Sequence, residues 1–101
     1  MPNASGISKV GPGSNVSAMG QLTPVRVTVN FPFNFGAVPT VVATPLQDPN
    51  YKPNTVNDTF AVTITSVTTS GFTANIIRTD TAQSAWGQDL QLGWMAFSND
   101  Y

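Results

Sequence analysis

Val25 to Phe31 reads VRVTVNF, setting Val25, Val27, Val29 and Phe31 against Arg26, Thr28 and Asn30. Successive side chains of an extended chain point to opposite faces, so this alternation makes a strand with one apolar and one polar side. Phe60 to Val67, FAVTITSV, repeats the pattern: Phe60, Val62, Ile64 and Ser66 fall on one face, and Ala61, Thr63, Thr65 and Val67 on the other. The threonine-bearing face is dry enough to pair with another subunit. No segment carries the 3.6-residue period and caps of a helix, so the apolar faces must be buried sheet on sheet. The expected fold is all-β, a six-stranded antiparallel β-sandwich.

The remaining strands follow from runs and punctuation. Gly6 to Val10 is a short edge strand, followed by a long loop that Gly11-Pro12-Gly13 keeps irregular. Thr40 to Pro45 is bounded by Pro39 and Pro45, and a polar loop with Asp48 and Tyr51 comes after it. Thr68-Thr69-Ser70-Gly71 is a turn signal into the strand Phe72 to Arg78, and Gly87 to Phe97 closes an order of mostly short hairpins. Phe31, Phe33 and Phe35, at alternate positions around Pro32, plug one end of the core. In the last strand Leu90, Leu92, Trp94 and Ala96 share one face, and Gln91, Gly93, Met95 and Phe97 the other. A strand apolar on both faces has a second surface to bury.

The 101 residues suit one domain, 1–101, and only 9% of them are charged against roughly 25% in ordinary globular chains. A surface so poor in charge stays soluble through hydroxyls and amides or hides against copies of itself, which predicts a homo-oligomer. A formal net charge of −1 offers nothing to nucleic acid or to an anionic membrane surface. With no Cys, His or Glu, the usual general bases, thiol nucleophiles and zinc ligands are missing, and five Asp are the only side-chain carboxylates. No calcium-loop spacing surrounds Asp48 or Asp58. The expectation is a binding module, not an enzyme, without metal or cofactor. No run of about 18 apolar residues is visible, so no membrane insertion is expected; the site of action is expected to be extracellular or surface-exposed although no secretory signal is visible.

Function concentrates at the tip of a hairpin expected between the strand ending at Arg78 and the last strand. Arg78, Asp80, Trp86 and Gln88 cluster there in a chain otherwise nearly free of charge. Sugars offer hydroxyls to hydrogen-bond and C–H faces to stack on aromatic rings, which is what such a set can receive. Arg78 would donate to ring hydroxyls and Asp80 accept from a vicinal pair; the alternative is a surface ion pair worth about 0–1 kcal/mol. Trp86 either stacks on a sugar or covers the end of the core, and Gln88 either presents its amide to the same ligand or is solvated. In the long first loop, Gly20 and Gln21 are candidate contributors to a neighbouring subunit's site.

The order of motifs resembles the H-type lectin domain, the family of the snail agglutinins and of the discoidin C-terminal domain. The resemblance rests on Ser5-Gly6, a strand ending in Phe31, Phe35 and Pro39 at successive four-residue steps, Val62 to Val67 leading into Thr69-Ser70-Gly71-Phe72, and the closing Trp94-Met95-Ala96. It implies a sandwich assembled as a parallel trimer, able to pair into hexamers, with sites for N-acetylgalactosamine or galactose between protomers at one end. Linked sites raise avidity by roughly 10²–10⁴. The chain also departs from the family. Thr79-Asp80 stands where the agglutinins have Trp-His, and Thr63 stands where their fourth strand has Arg. The position of their acidic ligand residue falls near Gly20, and the loop after Arg78 is longer. The expected function is therefore a trimeric lectin for terminal galactose or N-acetylgalactosamine; the alternative is a structural trimerisation or fibre-tip module, as on a phage tail or appendage, that has lost its sugar site.

Overall fold

The computed structural model describes residues 3–13, 23–49, 59–79 and 89–99. Six strands are present: β1 (Asn3–Lys9), β2 (Val25–Asn30), β3 (Thr40–Leu46), β4 (Phe60–Val67), β5 (Gly71–Arg78) and β6 (Gln91–Phe97). They form two three-stranded antiparallel sheets, ordered β1-β6-β3 and β2-β5-β4. Only β4 and β5 are consecutive neighbours in one sheet. The expected series of short hairpins is thus corrected to one hairpin plus four crossings between sheets. The hairpin is marked by Thr68, whose Oγ1 accepts from the Ser70 and Gly71 amides at 3.2 Å while its own amide donates to Gly71 O at 2.8 Å.

Alternation places the core as the sequence implies. Val25, Val27 and Val29 face inward opposite Ile76, Ala74 and Phe72, and Ala4, Leu92, Trp94 and Ala96 face them from the other sheet. Ile76, Leu90 and Leu92 are the largest fully buried side chains; each such burial contributes about 1.5–3 kcal/mol. In β4 the expected faces hold only to Ile64. A bulge between Ile64 and Ser66 shifts the register, so Ser66 pairs with Thr73 on the outside and Val67 joins Phe72 inside. Strand β1 begins earlier than its composition suggests because Ala4 is buried opposite Ala96. Pro45 lies within β3 and does not end it; β3 pairs with β6 alone, and an edge strand tolerates the missing N–H.

Strand direction divides the sandwich into two poles. The connections β1–β2, β3–β4 and β5–β6 leave from one end, here the loop pole, and the β2–β3 and β4–β5 connections from the other. The second pole is tightly closed. The Phe31 amide donates to Ser70 O and the Phe35 amide to Thr69 O, both at 2.8 Å, tying the two connections together. Beneath them Trp94 packs on Phe31 and Phe72 at ring-centroid distances of 5.8 and 5.7 Å, and Phe31 meets Phe35 edge-on at 5.1 Å. Of the three Phe expected in the plug, Phe33 is the exception at 37% exposed. It touches Phe35 from outside, because Pro32 breaks the strand and its alternation.

Two glycines are fixed by close approach. A Cβ on Gly71 would lie 2.3 Å from Val29 O, and one on Gly6 would lie 2.9 Å from Trp94 Cζ2. Gly71 lets β2 and β5 close up at the tight pole, and Gly6 makes room for the indole.

Candidate functional site

At the loop pole the ladders run slightly past the strands. Leu90 O accepts from the Val10 and Gly11 amides at 2.8 and 2.9 Å, and the Thr79 amide donates to Thr59 O at 2.8 Å. These bonds fix where the three long connections depart, so groups just beyond the strand ends share one rim. Arg78 closes β5 opposite Phe60, half-buried, on the inward phase of the strand. Beside it the Thr79 hydroxyl donates to Thr59 Oγ1 at 2.9 Å, an exposed pair able to exchange hydrogen bonds with a ligand's hydroxyls. Across the pole Lys9 Nζ and Asp89 Oδ1 stand 4.0 Å apart, both well exposed; such a pair adds little to stability.

The candidates named from sequence divide as follows. Arg78 is at the loop pole. Thr63 is exposed on the outer face of the β2-β5-β4 sheet, opposite Asn75. Asp80, Trp86, Gln88, Gly20 and Gln21 lie outside the described residues. The connection carrying Asp80 to Gln88 is not a hairpin loop as expected, since β5 and β6 belong to different sheets.

Register reveals residues that the sequence reading missed. Arg26 stands opposite Asn75, which stands opposite Thr63, so the three form one row on the outer face. Arg26 Nε donates to Asn75 Oδ1 at 3.1 Å. The alternation of β2 marked Arg26 as outward-facing, but only the pairing of β2, β5 and β4 brings it into Thr63's row. The Thr59–Thr79 pair was likewise hidden in two connections twenty residues apart.

The two outer faces differ sharply. That of β2-β5-β4 carries Arg26, Thr28, Asn30, Thr63, Thr73 and Asn75, and a small hollow of about 110 Å³ near the tight pole is lined by Thr28, Asn30, Ser66, Ser70 and Thr73. That of β1-β6-β3 exposes Ile7 (64%), Val42 (53%), Met95 (49%) and Phe97 (36%). Gly93 opens a groove of about 300 Å³ between Val42, Thr44 and Met95 on this face. The second apolar surface expected for the last strand is therefore real, whereas the β4 threonine face is polar.

Among the described residues no group of three metal-ligating side chains occurs, and no helix is long and apolar enough to cross a membrane. No curated protein and no solved structure gives a significant match to the chain. The family model of the H-type lectin domain matches residues 26–97, from the second residue of β2 to the last of β6. That span holds Gly71-Phe72 at the β2–β5 approach and Trp94 in the aromatic cluster. With sandwich and family model in agreement over most of its length, the chain belongs to the H-type lectin domain family and is a carbohydrate-binding lectin.

Proposed function

We propose that the protein is a homotrimeric lectin that binds terminal galactose or N-acetylgalactosamine at the loop pole, through Arg78, the Thr59–Thr79 pair and, from the connections, Asp80, Trp86 and Gln88. The observation that carries this reading is the departure of three long connections from the pole that holds Arg78 and the exposed Thr59–Thr79 hydroxyl pair, in a domain whose other pole is closed by aromatic packing. Binding groups sit well on loops held by a rigid scaffold.

The apolar β1-β6-β3 face supports the trimer. Three such faces around an axis parallel to the strands would bury Met95 and Phe97 near the axis and lay Ile7 of one copy beside Val42 of the next. Sheet order puts β1 and β2 on one flank and β3 and β4, in contact across the sandwich, on the other. The departure point of each β1–β2 connection, which carries Gly20 and Gln21, then lies on the flank next to the neighbour's β4, and all three loop poles face the same way. One trimer can thus hold several glycans on one surface.

The test is light scattering beside a glycan array probed with labelled protein. A trimer binding glycans that end in galactose or N-acetylgalactosamine is expected. A trimer that binds no glycan would replace this reading with a structural assembly module, and a monomer would remove the seam.

A further inference from the structure

The row formed by Arg26, Asn75 and Thr63 has a chemistry that a neutral sugar does not require. Its hydrogen bond from Arg26 Nε to Asn75 Oδ1, 3.1 Å long, uses one of the five guanidinium donors and lays the group toward β5. With Nε engaged, the two Nη groups of the exposed side chain remain for a ligand, and that planar fork matches a carboxylate or sulfate in a bidentate contact. Among the described residues no carboxylate shares the face: the other residues directed outward from β2, β4 and β5 are neutral, chiefly hydroxyls and amides, and Arg26 is the single charge among them. Arg26 and Thr63 are both exposed. Asn75 precedes Arg78 by three residues on β5, which is about 10 Å along the strand and within the span of a disaccharide reaching from the loop pole.

We propose that this row extends the sugar site to an oxyanion on the glycan, so that the protein prefers acidic, galactose-containing oligosaccharides to their neutral counterparts. Arg26 supplies the fork, Asn75 orients it, and Thr63 offers a hydroxyl to the same group. The inference rests on the sugar-binding reading above.

The experiment measures affinity of the full chain for lactose, 3′-sialyllactose and 3′-sulfolactose by calorimetry at low and at 0.5 M salt. One charge-assisted bidentate contact predicts a preference for an acidic ligand of about tenfold at low salt, narrowed by screening at high salt. Preference for sialyllactose assigns the carboxylate as source, and preference for sulfolactose assigns the sulfate. Arg26→Gln is expected to bring the acidic-to-neutral ratio near one. Arg26→Lys, a point charge without the fork, should keep only part of it, and Asn75→Ala should lower it with the charge still present. These positions lie on the outer face, and thermal melts confirm that each variant is folded. Lactose binding with no acidic preference, or a preference that survives Arg26→Gln, overturns the inference alone. Binding of neither these three ligands nor methyl N-acetylgalactosaminide overturns the sugar-site reading with it.

Discussion

The same substitution at two glycines should have opposite consequences. In Gly71→Ala the new Cβ would meet Val29 O at 2.3 Å, with Asn30 Cα at 3.2 Å and Val29 C at 3.3 Å. Every one of these neighbours is backbone, and the amide that follows Asn30 donates to Ser70 O, so β2 cannot retreat by about 1 Å without losing a bond that closes the tight pole. Overpacking a core typically costs 1–3 kcal/mol; with a backbone neighbour and a hydrogen bond at stake, about 3 kcal/mol is expected. In Gly93→Ala the Cβ would meet Leu46 Cδ1 at 2.9 Å, the end of a side chain on an open face. That methyl can rotate aside, so the cost should stay below about 1 kcal/mol. Urea unfolding followed by tryptophan fluorescence at fixed protein concentration separates the two. With a slope of about 1.5 kcal/mol/M, Gly71→Ala lowers the midpoint by about 2 M and Gly93→Ala by less than about 0.7 M. Equal midpoints for the two variants would refute the claim that backbone approach fixes Gly71.

Three further outcomes follow. Trp94→Ala removes the ring that joins Phe31 to Phe72 above Gly6 and should cost about 3–5 kcal/mol in urea unfolding followed by circular dichroism, since the packed tryptophan reporter is gone. Met95→Asp places a carboxylate on the apolar face and should convert the proposed trimer to monomer by light scattering while the far-ultraviolet β signal persists. Lys9→Ala, which breaks an exposed 4.0 Å ion pair, should leave the unfolding midpoint within experimental scatter.

Much of the architecture was readable because alternation reports burial directly. β2 and β4 begin where VRVTVNF and FAVTITSV begin, and the two faces of the last strand are divided as its residues imply. Connectivity was less readable. The residues after Arg78 do not reveal whether the next strand pairs with β5 or crosses to the other sheet, since that depends on which sheet has a vacant position beside β1 and β3. The bulge after Ile64 was also silent, because Thr65 and Ser66 suit either phase. For the site, Arg78 and Thr63 stood out by residue type and resemblance. Arg26 did not, because its importance lies in what β5 and β4 place beside it, and register is a property of pairs of strands.

The most direct test of the account is an amide NMR titration of isotopically labelled protein with methyl N-acetylgalactosaminide and methyl galactoside, read residue by residue. The account predicts saturable shifts at Thr59, Arg78 and Thr79, with the tight-pole amides of Phe31, Phe35 and Gly71 unmoved. Absence of saturable shifts with both sugars, or shifts confined to the tight pole, would contradict the claim that this lectin binds its glycan at the loop pole.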